Sequence, residues 1–461
     1  MRSSVALRAV RPELKEIWIK NFKSLKDVRV RLGRFNLLIG PNRSGKTNFL
    51  EALDLLRAIY FPRPGSEQVS PFLRWWGYDR AVWRRDESLP ITIGLLMDIA
   101  GYEVLFETTF TGIGGAFRLL REVVDVKGVV RLEKEGGLLR IRHDEEFLDR
   151  AGEEVEEAHE TAPSAIAWPS SELKRQLAEV GKEGLVNYTV ELGEGEQSCF
   201  LWLYGKSVSA CYLKTVAIAI EADGKATIFS PATSAPDISG RISTQPLTWV
   251  VRSALRYLLE NVLILRPLDA RKIREQMARP IKERRLSEDA LNLHGVLYLL
   301  FMEKGRLPER MEAAIKDIFG EDVSIAFTLT EDGRVYMRVF EGDLELDPPM
   351  ISDGFYKVLA ILTAIETRPS ILAVDELENS LHLEAIERIL DELRDADCTV
   401  IAITHSPLVI DLVDPADIIL VERDEEGATV MRRIPDPEAL KKRLAEHGLT
   451  FSEGWLYGRV L

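Results

Sequence analysis

The sequence predicts an α/β fold with a mixed sheet at its core, an antiparallel β lobe and a helical lobe. Three observations predict it. First, a buried-strand run, Phe35-Asn36-Leu37-Leu38-Ile39, leads into Gly40-Pro41-Asn42-Arg43-Ser44-Gly45-Lys46-Thr47, and that into a helical pattern from Asn48 to Ile59. Second, two continuous apolar runs lie far along the chain, Ile371-Leu372-Ala373-Val374 and Cys398-Thr399-Val400-Ile401-Ala402-Ile403. Runs of this kind are strands buried on both faces of a parallel sheet. Third, β-rich runs recur from Ile91 to about Ile141, whereas helical patterns dominate from Thr248 to about Ile318.

In chain order, residues 14–31 alternate like strands with one solvated face. After the glycine loop and its helix, a Pro-, Gly- and Ser-rich loop runs from Phe61 to Pro71. Ile91-Thr92-Ile93, Tyr102-Glu103-Val104-Leu105-Phe106 and Val129-Val130-Arg131-Leu132 then read as antiparallel strands. Residues 144–182 turn acidic and helical in pattern, Thr215 to Ile220 reads as a strand, and Ser230 to Pro246 as a loop. The turn Glu331-Asp332-Gly333 joins a hairpin of Ile325–Thr328 and Val335–Arg338. An apolar helix is expected from Phe355 to Glu366, and Arg423 to Gly427 reads as a hairpin turn after Ile418–Glu422. The expected division is 1–143, an insertion at 144–246, a helical lobe at 247–350, a second core part at 351–435 and a tail at 436–461.

The 461 residues provide core for two or three domains, and no apolar run approaches the length of about 18 residues needed to span a bilayer. The amino-terminal residues show no secretory pattern. Three cysteines (Cys199, Cys211, Cys398) have no metal-ligand spacing and suit a reducing, cytoplasmic compartment. The net charge of −14, from 60 basic and 74 acidic residues, disfavours nucleic acid except at a local basic patch.

The glycine loop has the P-loop spacing G-x-x-x-x-G-K-T, here between a strand and a helix. Backbone N–H groups from Asn42, Arg43, Ser44, Gly45 and Asn48 would face phosphate oxygens, helped by the helix N-terminus. Lys46 would reach the β- and γ-phosphates, and Thr47 would hold Mg²⁺. Asp375 and Glu376 end a buried strand, where ligands of parallel sheets bind. Asp375 is placed for the water shell of Mg²⁺, and Glu376 for the proton of the attacking water. His405 ends the neighbouring strand and could contact the γ-phosphate or orient the water. Ser352 or Asp353 caps the helix that follows, or offers a second anion site at its start.

The order of these pieces resembles an ABC-type ATPase of the SMC/RecF/OLD-like group of AAA-domain proteins. The stretches NFKSLKDVRV, LLIGPNRSGKTNFLEAL, ISDGFYKVLAILTAI, LAVDELENSLHLEAI and VIAITHSPLVIDLVDPADIILVERDEEG carry the resemblance, across about residues 14–105 and 260–435. It implies a P-loop NTPase fold with an ABC/SMC-like head. It also implies ATP and Mg²⁺ as cofactors, and two heads that dimerise around two ATP molecules. Each ATP would lie on one chain's P-loop, Asp375, Glu376 and His405. The partner would supply the signature, Ser352, Asp353 and Gly354, with Asn379 and Ser380 of the D-loop near the interface. The work implied is DNA repair or defence against phage and plasmids.

This sequence departs from the pattern in three places. Phe355-Tyr356-Lys357 follows the signature glycine, and Leu377 replaces the proline common after the glutamate. Arg266-Pro267-Leu268-Asp269 stands where the metal-sensing loop belongs, with Gln276 the candidate for its glutamine. An alternative reading is therefore a nucleotide-gated switch with little intrinsic hydrolysis; a transporter ATPase is a third, disfavoured by the long insertion. Arg271, Lys272, Arg274, Arg279, Lys282, Arg284 and Arg285 form a basic cluster suited to nucleic-acid phosphates or to a solvated helix face. Arg74, Arg80, Arg84 and Arg85 interleave with Trp75, Trp76 and Trp83, either as a stacking surface or as a lobe core. Only about forty residues follow Val421 and its turn, too few for a fused nuclease, so DNA cleavage would need a separately encoded nuclease or effector.

Overall fold

A computed structural model describes residues 12–61, 70–99, 101–127, 130–136, 138–143, 186–191, 217–220, 226–229, 254–275 and 284–458. Most of the 144–246 insertion lies outside these residues, as do Gln276, Arg279 and Lys282. The chain forms two compact units, one of residues 1–29 and 54–257, the other of 30–53 and 258–461.

The strands in chain order are β1 (Glu13–Phe22), β2 (Leu25–Arg31), β3 (Phe35–Ile39), β4 (Ile91–Ile99), β5 (Tyr102–Thr111), β6 (Arg118–Val126), β7 (Val130–Glu135), β8 (Leu138–His143) and β9 (Val186–Glu191). They continue with β10 (Ala217–Ile220), β11 (Ala226–Phe229), β12 (Val262–Leu265), β13 (Val323–Leu329), β14 (Val335–Glu341), β15 (Leu344–Leu346), β16 (Ile371–Val374), β17 (Thr399–Thr404), β18 (Ile418–Arg423) and β19 (Thr429–Arg433). The first unit holds an eight-stranded sheet in the order β2-β1-β4-β5-β6-β7-β8-β9. From β4 onward each strand pairs antiparallel with the next, as the alternating runs predict. Trp75 and Trp83 are buried in this unit, Arg74 binds the buried Asp54 at 2.5 Å, and Trp76 is exposed. Trp75 and Trp83 are thus lobe core.

The second unit is built on a six-stranded sheet, β12-β16-β17-β3-β18-β19. All its neighbours run parallel except the β18–β19 hairpin. Strands β3, β16 and β17 are buried at every position, because helices cover both faces of a parallel sheet. One strand departs from expectation. β12 interrupts the helical stretch predicted for 248–318, because Val-Leu-Ile-Leu is too short for its period to tell strand from helix. Helix Asp353–Glu366 is buried continuously from Phe355 to Ala364 and contacts the helices Leu293–Lys304, Glu309–Phe319 and Leu383–Arg394. A helix apolar on all sides is a core helix. Each fully buried Leu or Ile in it contributes about 1.5–3 kcal/mol. The chemistry-bearing residues therefore stand on a rigid base.

Candidate nucleotide site

The loop after β3 turns tightly. Ser44 N–H donates to the Pro41 carbonyl at 3.2 Å. Arg43 has φ +66° and Gly45 φ +114°. Gly40 lies against β18, so closely that a Cβ there would stand 1.9 Å from the Val421 carbonyl oxygen. Helix α1 (Lys46–Tyr60) then begins at the loop's end. The hairpin braces the loop from outside: Thr429 Oγ1 donates to the Ser44 carbonyl at 2.7 Å, and Arg423 Nε to the Arg43 carbonyl at 2.8 Å. Sequence reasoning missed both residues, since nothing local to residues 423–429 signals a contact with residues 43–44.

Lys46 is buried, and its ammonium donates to the Gly40 carbonyl at 2.8 Å and the Pro41 carbonyl at 2.9 Å. Burial pushes its pKa down to about 8, against the pull of Asp375 and Glu378. This has a measurable consequence. Phosphate binding favours the charged ammonium, so ATP binding takes up a proton once the free lysine has begun to lose its own. Below pH ~8 the lysine is already charged and affinity is flat. Above it, affinity should fall by up to about tenfold per pH unit. Binding heats measured at pH 9 in buffers of different ionisation enthalpy should differ; equal heats would remove Lys46 from the contact.

β16 delivers the two carboxylates. Asp375 N–H donates to the Leu265 carbonyl at 2.9 Å, which ties it to the end of β12, and Leu377 N–H donates to the Ile403 carbonyl at 3.1 Å. Between them Glu376 takes φ +50°, a left-handed backbone that a non-glycine residue rarely holds. Burial pushes the Asp375 carboxyl pKa up, while the Glu376 N–H, Lys357, Arg266 and Lys46 hold it down. Lys357 stands beneath this turn. Buried in helix Asp353–Glu366, its ammonium donates to the Glu376 carbonyl at 3.2 Å and to the Asp375 carbonyl at 3.4 Å. Burial pushes its pKa to about 8 as well. The sequence shows this lysine only as a departure from a pattern. His405, at the end of β17, has an exposed ring, yet desolvation by the cleft walls and the charge of Lys46 lower its pKa. It is therefore mainly neutral at pH 7 and can either accept or donate a hydrogen bond.

These groups converge. Asn42, Arg43, Ser44, Gly45, Lys46, Thr47, Asn48, Asp375, Glu376, Ile403, His405 and Arg423 line one cleft of about 440 Å³. It is lined by the glycine loop, a lysine, a hydroxyl and carboxylates, a set suited to a polyphosphate. Among the described residues no group of three or more His, Cys, Asp or Glu could hold a metal alone. The Thr47 hydroxyl and Asp375 carboxylate still fit Mg²⁺, which keeps several waters and binds through one or two carboxylates plus phosphate oxygens.

Ser352, Asp353, Gly354, Asn379 and Ser380 are not among the lining residues. They lie beside one another instead. Ser352 caps its helix by accepting from Phe355 N–H at 3.2 Å, and a Cβ on Gly354 would stand 2.5 Å from the Ser380 carbonyl oxygen. Arg274, read from sequence as part of a basic cluster, binds this segment: its Nη2 donates to the Ile351 carbonyl at 2.9 Å and to Asp353 at 2.8 Å. Arg271 pairs with Glu275 at 3.0 Å, Lys272 with Asp269 at 3.4 Å, and Arg284 with Glu303. Much of the cluster's charge is thus met by nearby acids. Arg285 is exposed.

Family models match the chain twice: one described as "AAA domain, putative AbiEii toxin, Type IV TA system" over residues 219–411, and an AAA ATPase domain over residues 13–69. The chain is 33% identical over 94 residues to the DNA replication and repair protein RecF of Halothermothrix orenii (19% of this chain, 24% of that protein). It is 41% identical over 49 residues to an OLD nuclease of Thermus scotoductus (11% and 9%). It is 33% identical over 88 residues to the endonuclease GajA of Bacillus cereus (19% and 13%). The matched segments span less than a quarter of each relative. Among solved structures, an SMC head bound to the C-winged helix domain of ScpA aligns with a TM-score of 0.41 at 13% identity (93% of this chain, 99% of that one). The SMC head domain from Thermotoga maritima aligns with a TM-score of 0.35 at 12% identity (92% and 100%). No helix among the described residues is long and apolar enough to cross a membrane. A strand–P-loop–helix cradle faces two strand-end carboxylates, and AAA models match both stretches that build it, so the chain carries an AAA-type ATPase domain with segments similar to RecF and OLD-type proteins.

Proposed function

We propose that the cleft hydrolyses ATP with Glu376 as general base, and that ATP joins two copies of the chain. The observation that carries this is the convergence of Lys46, Asp375, Glu376 and His405 on one cleft from three distant stretches of sequence. The water oxygen bonds to the γ-phosphorus as the bond to the β–γ bridging oxygen breaks, leaving ADP and phosphate. Glu376 takes the water's proton, Lys46 and the loop amides meet the charge on the leaving side, and neutral His405 holds the water or a γ-oxygen. Magnesium, when bound, neutralises phosphate charge, with Thr47 and Asp375 as its protein-side oxygens.

The dimer rests on the second group. Ser352, Asp353, Asn379 and Ser380 are exposed and do not line the chain's own cleft. In the proposal they complete a partner's site, and closure is favoured only while the γ-phosphate remains attached. The setting proposed is DNA repair or defence against phage or plasmids, with a separately encoded nuclease; the names of the matched relatives, a DNA replication and repair protein and two nucleases, support DNA as the partner. Sedimentation with and without ATP, together with turnover with and without single- and double-stranded DNA, tests this. ATP should convert monomer to dimer. A monomer at saturating ATP would remove the dimer, and a chain that binds ATP but never turns it over, with or without DNA, would leave a nucleotide-gated switch.

A further inference from the structure

We propose that Glu378 is a positioning residue for hydrolysis: its carboxylate locks the end of β17, and with it His405, to the turn that presents Glu376. This rests on reading the cleft as the site of hydrolysis. Glu378 does not line the cleft. Its two oxygens are divided between two donors on the strand that carries the histidine. Thr404 Oγ1 donates to Oε2 at 2.8 Å, and the His405 backbone N–H donates to Oε1 at 2.9 Å. Thr404 is fully buried, and its hydroxyl oxygen also accepts from Ser406 N–H at 3.0 Å, so its one proton is directed to Glu378.

The need for this clamp follows from the backbone. β17 ends at Thr404, so His405 has left the sheet and its N–H has no ladder partner. On the other side, Glu376 holds φ +50° and Leu377 is tied to Ile403. Glu378 adds two further bonds between the same two segments, one at the last residue of the strand and one just past it. A carboxylate suits the place because it accepts at both oxygens. Its charge is also felt by Lys46, Lys357 and His405.

The test is a double-mutant cycle in the full chain, read as kcat and as ATP affinity. Glu378→Ala should lower kcat by about 10- to 100-fold, the scale of a misplaced catalytic group, with ATP affinity within about twofold. Glu378→Gln keeps a carbonyl for the His405 N–H and should recover part of the rate. His405→Ala should be slow by itself, and the pair Glu378→Ala/His405→Ala no slower than His405→Ala, because Glu378 acts through the histidine. Losses that multiply, or wild-type kcat in Glu378→Ala, would overturn the proposal. Thr404→Val, which removes only one of the two bonds, replaces Glu378→Ala in the cycle should that variant not fold. A Glu376→Gln control separates the two levels: if it turns over ATP normally the site reading fails, and if it is inactive while Glu378→Ala is unimpaired, only the clamp fails.

Discussion

Glu376→Gln is expected to stop turnover and leave ATP bound, trapping dimers. The substitution keeps the side chain's size and removes only its ability to take a proton. A positioned general base contributes about 10²–10⁴-fold, so kcat should fall by that factor. Folding should be unaffected, because Glu376 is exposed and its backbone is held by other groups, the Leu377 N–H and the Lys357 ammonium. Phosphate release measures the first effect, and size-exclusion chromatography in ATP the second. Turnover at the normal rate would move the base elsewhere.

Lys46→Ala should abolish useful nucleotide binding. Hydrogen bonds to charged groups contribute about 1.5–3 kcal/mol each, so losing contacts to two phosphates weakens binding by at least about a hundredfold. The free protein should tolerate the change. Its ammonium is buried at a cost, as the lowered pKa records, and what disappears with it is chiefly two bonds to loop carbonyls. Equilibrium binding of a fluorescent ATP analogue, beside a thermal melt, separates the two effects; binding at wild-type strength would place the phosphates elsewhere.

Much of this fold and most of the cleft were legible in the sequence, for one reason. Strands of a parallel sheet are short continuous apolar runs, and the residues just past their ends face the ligand. β3, β16 and β17 all announce themselves this way, and Lys46, Asp375, Glu376 and His405 follow at their ends. What stayed hidden was of two kinds. β12 has the same composition but stands among helical patterns, and four residues carry no period. Arg423, Thr429, Glu378, Lys357 and Arg274 act through contacts that join distant segments or bind backbone carbonyls, and such partners leave no local pattern. Arg274 was visible as charge, yet its contacts with Ile351 and Asp353 are set by tertiary placement alone.

The brace that the β18–β19 hairpin lends the phosphate loop has a consequence for how the molecule is made. Loop residues 40–47 leave the ribosome early, but the backbone they lean on at Val421 and the hydroxyl that ties down Ser44 arrive nearly four hundred residues later. A nascent chain therefore carries every glycine of the cradle long before it has walls. Nucleotide capture is expected only once this hairpin has been made and has folded against the loop.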